Sequence, residues 1–359
     1  MDKIRVGIAG TGYTVGIAGM HLNGYASQRD NCELVALYDV IPGRAAQWAM
    51  ENSLKNIKIC GSFDELLEQV DAVSLCVPNC EHIPLLKKAF ASNKHVLCEK
   101  PISIDAISAR EVVQSEPRDR IHMVGFSYRG IPALRYAKQL IDSNRLGKIF
   151  TYRETLGGCR IANPNVKLEW RMQHKMSGTG ALADFGCHMI DLCDWLLHDS
   201  QGAMCQVNGM CTRSIEQRED IETGKMNPVS NDDSASFTMK LESGTLASFV
   251  ASRLGVLRHT LEIYSEGGML LFCDDRPNEL EVWFKATDVG YGPDKPEVIR
   301  VPQVLITEPW QNAEFAEFID CIKTGRAPER SLKRGLYIQT LVDAAEKACE
   351  TGETIAIPN

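Results

Sequence analysis

Short apolar runs alternate with helical stretches through the first third of the chain. Residues 4–9, 33–38 and 72–77 are nearly continuous in apolar side chains, which is the pattern of strands buried on both faces of a parallel sheet. Helix signals separate them, with Ser62 opening 62–67 before the third strand and a further helix over 82–92 after it. A fourth and a fifth strand are predicted at 95–98 and 122–125. After Phe126 the rhythm changes: a helix at 132–143, a strand at 150–154 and a helix after Gly186 precede strands at 235–241, 245–252, 259–265, 268–273 and 280–284. Strands in succession, joined by Ser-Gly and Gly-Gly turns, indicate an antiparallel or mixed sheet. A long helix at 331–351 closes the chain, and the polar stretch 217–233 reads as a loop. The reading is therefore α/β, with a parallel-sheet domain at 1–125 and a second α/β domain with an open, mostly antiparallel sheet at 126–359. The last helix is free to pack back on the first domain.

Composition narrows the function classes. The chain has 359 residues, 44% hydrophobic and 24% charged, with a formal net charge of −8. That length suits about two domains, and the negative balance offers no attraction to nucleic acid or to an anionic membrane surface. No apolar span approaches the ~18 residues of a membrane helix, and no secretory signal pattern opens the sequence. The thirteen cysteines are scattered through strand and helix patterns, so they are expected to be reduced thiols in a cytoplasmic protein. Cys76 and Cys80 are spaced C-x3-C, and Cys187, His188 and Cys193 cluster; without paired C-x-x-C units no metal site is expected.

The first motif with chemistry is Gly10-Thr11-Gly12-Tyr13-Thr14-Val15-Gly16, directly after a strand and before a helical run. Glycines at Gly10 and Gly12 let the backbone, through Tyr13 and Thr14, approach a pyrophosphate whose charge the following helix N-terminus stabilises. The spacing is G-x-G-x-x-x-G, one residue longer than the usual fingerprint. Asp39 ends the second strand, where a carboxylate accepts hydrogen bonds from adenine-ribose hydroxyls and repels a 2′-phosphate. NAD is favoured over NADP on that ground, with nearby Arg44 keeping dual specificity open.

Further motifs follow along nearly the whole chain: Val77-Pro78-Asn79 with His82, Glu99-Lys100-Pro101, Gly125-Phe126 with Arg129, and Trp170-Arg171. Then come Ser177-Gly178-Thr179-Gly180-Ala181-Leu182 leading into Asp184-x-Gly186-x-His188, and Pro309-Trp310-Gln311-Asn312 before a helix. Together with the glycine turn they resemble the glucose-fructose oxidoreductase / inositol dehydrogenase / MocA (Gfo/Idh/MocA) family. The resemblance implies a Rossmann domain followed by an α/β domain whose open sheet packs against that of another subunit, giving a homodimer or homotetramer. It also implies reversible oxidation of a secondary alcohol on a small-molecule sugar, glycoside or polyol such as an inositol. Carried over by residue, Lys100, Asp184 and His188 take the catalytic positions, and Val77, Pro78, Asn79, His82, Glu99, Lys100, Trp170 and Arg171 the cofactor-contacting ones. Tyr128, Arg129 and Tyr152 are candidates for the substrate pocket, beside the catalytic three.

The residue chemistry agrees with that assignment. Oxidising a secondary alcohol needs a base at the hydroxyl oxygen, and His188 titrates near neutrality when unperturbed. Asp184 precedes it by one helical turn and would share its face, able to orient the ring or the substrate. Asp191 shares that face too and ranks lower. Lys100 can donate to the same oxygen and stabilise alkoxide charge, so the proton acceptor is either Lys100 or His188. Taken singly, a lysine before proline is usually a solvated strand end and a histidine on an apolar helix a satisfied core residue; the joint motif context carries the functional reading. Two alternatives stand beside it: a glycoside or nucleotide-sugar C3 dehydrogenase with a tightly held, recycled cofactor, and a non-catalytic dinucleotide-binding sensor.

Overall fold

Parallel strands with apolar side chains on both faces need helices on both sides, and the N-terminal part of the chain supplies them in alternation. In this computed structural model, which describes residues 3–12, 16–221, 223–284, 296–307 and 309–358, six strands form one parallel sheet. They are β1 (Ile4–Ala9), β2 (Cys32–Tyr38), β3 (Lys58–Ile59), β4 (Ala72–Leu75), β5 (His95–Cys98) and β6 (His122–Val124), in the order β3-β2-β1-β4-β5-β6. Five helices lie between them: α1 (Ile17–Ser27), α2 (Arg44–Glu51), α3 (Phe63–Gln69), α4 (Asn79–Ala91) and α5 (Ala106–Gln114). Ser62 caps α3 by accepting from the Glu65 amide, and Asp105 caps α5 through the Ser108 amide, each satisfying a helix-end donor. The strand order reverses between β1 and β4, so the carboxyl ends of those strands diverge into a crevice, where open α/β sheets bind ligands.

The second sheet is mixed. Helix α6 (Pro132–Asp142), strand β7 (Ile149–Gly157), the short α7 (His174–Ser177) and α8 (Cys187–Gln201) precede a run of strands. These are β8 (Met204–Thr212), β9 (Gln217–Glu219), β10 (Met226–Pro228), β11 (Ser234–Leu241), β12 (Leu246–Ser252), β13 (Arg258–Ser265), β14 (Gly268–Cys273), β15 (Glu279–Phe284) and β16 (Glu297–Arg300). Helices α9 (Asn312–Thr324) and α10 (Leu332–Thr351) and strand β17 (Ile355–Ala356) complete the chain. The large sheet runs β16-β15-β14-β13-β7-β12-β11-β8-β17, antiparallel throughout except for the parallel pair β7–β12. Helices α6 and α8 cover one face. The other shows the exposed half of the alternation, with Thr155, Val250, Ser236 and Met210 side by side across β7, β12, β11 and β8, polar and apolar in turn.

The chain divides into a unit of Met1–Ser127 with Gln311–Gln339 and a unit of Tyr128–Trp310 with Thr340–Asn359, so the first unit draws on sequence far beyond the expected boundary at 125. Its return segment is held by the sheet itself. The Val124 amide donates to the Arg330 carbonyl at 2.8 Å, Arg330 Nε donates to the Phe126 carbonyl at 3.0 Å, and Phe315 of α9 packs where a side chain at Gly24 of α1 would stand. The polar stretch 217–233, expected as a loop, contains the β9–β10 hairpin. Arg218 explains it: the side chain is fully buried and its guanidinium donates to the carbonyls of Asn163 and Val166 at 2.8 and 3.0 Å. A charge satisfied in the interior is invisible to a reading that counts polar residues as solvated.

Candidate active site

In the first unit the candidate residues fall at the carboxyl ends of four adjacent strands. Gly10 follows β1, Asp39 follows β2, Val77 follows β4 and Glu99 follows β5. Gly10 has φ +88°, and a Cβ there would collide with the Cys76 carbonyl; Gly12 has φ +71°. Only glycine takes these conformations at little cost. Asp39 pins the turn, since its Oδ2 accepts from both the amide and the hydroxyl of Thr11 at 2.8 Å, while its Oδ1 accepts from the Ile41 amide at 2.9 Å. Arg44 Nε donates to the Gly12 carbonyl at 2.7 Å. Side chains built at Gly16, the residue before α1, and at Gly19 in its first turn would project into open space, so the backbone at this helix N-terminus is approachable and fits a pyrophosphate. Tyr13 and Thr14 lie outside the described residues.

Beneath Lys100 runs a buried polar chain. Glu99 Oε1 pairs with His21 Nε2 at 2.9 Å, His21 Nδ1 meets Ser74 Oγ at 2.8 Å, and Tyr25 meets the same hydroxyl at 2.6 Å. Burial raises the Glu99 pKa, but the His21 hydrogen bond and charge, with Lys100, hold it below the usual carboxylate value. Its Oε2 accepts from the Lys100 amide at 3.2 Å, so Glu99 braces the lysine backbone from below. His82, expected among the cofactor contacts, is also a brace: it is fully buried, with Nδ1 2.8 Å from the Pro101 carbonyl and Nε2 3.2 Å from the Val77 carbonyl. It thereby ties the Val77-Pro78-Asn79 turn at the head of α4 to the Glu-Lys-Pro turn.

In the second unit Asp184 and His188 sit on one continuous helical stretch, whose first part is not the α-helix that the four-residue spacing predicts. Leu182–Gly186 forms a π-helical turn that runs into α8, a wider winding often found at functional sites. Asp232 sets its start, accepting from the Gly180 amide at 2.5 Å and the Leu182 amide at 3.0 Å. A Cβ at Gly180 would strike the Asp232 carbonyl, so glycine is required for this approach. Arg253 Nη1 and Asn231 Nδ2 reach the Arg171 carbonyl at 2.7 and 2.8 Å, and the Arg171 guanidinium lies 4.2 Å over the Trp170 ring. Asn231, Asp232 and Arg253 were missed in the sequence because the first two stand in the stretch taken as a loop; an Asn-Asp-Asp run immediately before a strand is the signal that could have found them.

His188 stacks on Tyr128, with ring centroids 4.3 Å apart and planes 7° from parallel. Trp310 meets Tyr128 edge-on at 5.3 Å and His259 approaches it at 5.4 Å. Tyr128 thus holds the imidazole by its face. Arg129 and Tyr152, expected on the pocket wall, each have a buried protein partner. Arg129 is buried and donates to both oxygens of Asp191 at 2.7 and 2.5 Å, which locks the turn carrying Tyr128 onto α8. Tyr152 is 0% exposed and donates to Glu154 at 2.6 Å, whose other oxygen meets His259 at 2.7 Å. The strand alternation that puts Tyr152 inward puts it in the core. Among the described residues no group of three or more His, Cys, Asp or Glu side chains could hold a metal ion, and no helix is long and apolar enough to cross a membrane.

Residues 4–126 match the family description "Oxidoreductase family, NAD-binding Rossmann fold", and residues 134–271 match "GFO/IDH/MocA C-terminal domain". The chain belongs to the Gfo/Idh/MocA oxidoreductase family. Its first domain is an NAD-binding Rossmann domain. Levoglucosan dehydrogenase of Pseudarthrobacter phenanthrenivorans is 29% identical over 231 residues, which span 60% of this chain and 58% of that one. Inositol 2-dehydrogenase of Rhizobium meliloti is 25% identical over 99% of both chains. A levoglucosan dehydrogenase structure in complex with NADH superposes with a TM-score of 0.89 at 23% identity over the full length of both; this likeness is one of fold. Gfo/Idh/MocA relatives thus include sugar and inositol dehydrogenases.

Proposed function

We propose that this protein is an NAD-dependent dehydrogenase that oxidises a secondary alcohol of a sugar, glycoside or cyclitol, with Lys100 and His188 handling the hydroxyl proton and Asp184 orienting the imidazole or the substrate. The observation that carries this reading is the held imidazole. His188 is stacked on Tyr128 and one turn beyond Asp184, on a segment whose start is anchored by Asp232; that much support for one ring suits a group that must meet a substrate hydroxyl in a single orientation. NAD when bound supplies the hydride acceptor. Lys100 follows the strand whose end faces the dinucleotide crevice and donates to the same oxygen, stabilising alkoxide charge as it forms. Asp39, next to the glycine turn, selects NAD over NADP by charge. Gly10, Gly12, Val77, Pro78, Asn79 and Glu99 form or brace the cofactor side, with Trp170 and Arg171 assigned there by family resemblance.

A second reading concerns the carbon oxidised. Glucose-6-phosphate 3-dehydrogenase of Bacillus subtilis is 28% identical over 70% of this chain and 68% of its own, which favours a sugar oxidised at C3. The exposed row Thr155, Val250, Ser236 and Met210 suits pairing of the open sheet with a second copy, so a dimer or tetramer is the proposed state; a monomer mass by light scattering would refute it. The function is tested by NAD reduction at 340 nm against inositols, free hexoses, pentoses, simple glycosides and 1,6-anhydro sugars. Turnover confined to one class identifies the substrate. Silence on every class, with NAD bound, would sink the reading and favour a sensor.

A further inference from the structure

Strand β8 alternates inward and outward, so Val207, Gly209 and Cys211 share one face. Helix α10 packs its C-terminal end there. A Cβ at Gly209 would stand 3.2 Å from the Cys349 sulfur, so glycine at this position lets the cysteine settle on the strand. The result is a pair of half-buried thiols with sulfurs 2.9 Å apart, Cys211 donating to Cys349, within an ångström of the ~2.05 Å of a disulfide bond. The hydrogen bond from Cys211 lowers the Cys349 pKa, against the opposing pull of burial and of Asp232 and Glu346. The same contact and burial raise that of Cys211. One sulfur is therefore the better nucleophile and the other the resolving thiol.

We infer that Cys211 and Cys349 form a reversible thiol–disulfide modification site, oxidised by low-molecular-weight disulfides. The Cys349 thiolate attacks one sulfur of such a disulfide; that S–S bond breaks, and one small thiolate leaves with the electron pair and takes up a proton. Cys211 gives its proton to solvent and attacks the Cys349 sulfur of the mixed disulfide, expelling the second small thiol. Two protein thiols are oxidised and one small disulfide is reduced to two thiols. The bridge would fasten the end of α10 to β8. It would form beside Asp232, whose charge both sulfurs feel and whose carboxylate anchors the segment leading to Asp184.

The test uses the full chain treated with glutathione disulfide at about pH 8, alkylated and digested without reduction. The expected product is one peptide joining residues 211 and 349, lost on addition of dithiothreitol and absent in Cys211→Ser and Cys349→Ser. The oxidised wild type should also unfold roughly 5 °C or more higher than the reduced protein, because the bridge constrains a long loop. Recovery of Cys211 and Cys349 as separate alkylated or glutathionylated residues, while the exposed Cys159 has reacted, would overturn the proposal. The wild-type peptide map decides even if the serine variants fail to fold.

Discussion

Glu314, in the first turn of α9, is fully buried, and among the described residues neither of its carboxyl oxygens has a hydrogen-bond partner. Burial pushes its pKa from 4.5 up to about 8, with the Glu99 charge adding to the rise and Arg330 opposing it. The buried Tyr25 and Cys76 also feel its charge. Near neutrality Glu314 is therefore a neutral acid inside the first unit. Below pH 4.5 folded and unfolded chains both hold the proton and the site is silent. Between pH 4.5 and 8 the unfolded chain releases the proton and the folded one keeps it, so stability falls as pH rises, and the loss is complete above pH 8. A shift of this size corresponds to about 4–5 kcal/mol across the window. Glu314→Gln keeps the shape and removes the titration. Its stability relative to wild type should rise by about 4–5 kcal/mol between pH 4.5 and 8.5, on top of any constant offset from placing an amide there. Urea unfolding of both proteins at pH 4.5, 6.5 and 8.5 reads this directly. Parallel stability curves, separated by the same amount at every pH, would refute the assignment of a buried neutral acid.

Three further outcomes are expected. Lys100→Met should lower kcat by on the order of 10²–10⁴-fold while leaving NADH affinity, followed by fluorescence titration, nearly unchanged; substantial turnover would remove Lys100 from the chemistry. Asp232→Ala strands the buried Gly180 and Leu182 amides and should cost about 2–4 kcal/mol of stability, with kcat falling more than KM changes; an unaltered kcat would show that the π-helical turn holds its place without this carboxylate. Asp39→Ala should weaken NAD binding and narrow the preference over NADP, measured as the ratio of the two kcat/KM values; an unchanged ratio would mean that Asp39 only pins Thr11.

The sequence alone determined what depends on local periodicity and on motif. The parallel first sheet was legible because strands buried on both faces must be apolar throughout, and the second sheet because strands joined by short turns run in succession. Lys100, Asp184 and His188 were nominated by motif, and Gly10, Gly12 and Asp39 by their flanks. What the tertiary structure decided are pairings between distant residues. Arg330 and Phe315 return to the first unit because backbone hydrogen bonds at β6 and a glycine gap in α1 receive them, and neither leaves a periodic trace. Arg129, Tyr152 and His82 look in sequence like polar residues free for ligand. In the structure their partners are Asp191, Glu154 and two backbone carbonyls, since a polar group carried into the interior must find its partner there. The same physical rule hid Arg218 in a stretch read as loop and left Asp232 unremarked, although it sets the start of the π-helical turn that presents Asp184.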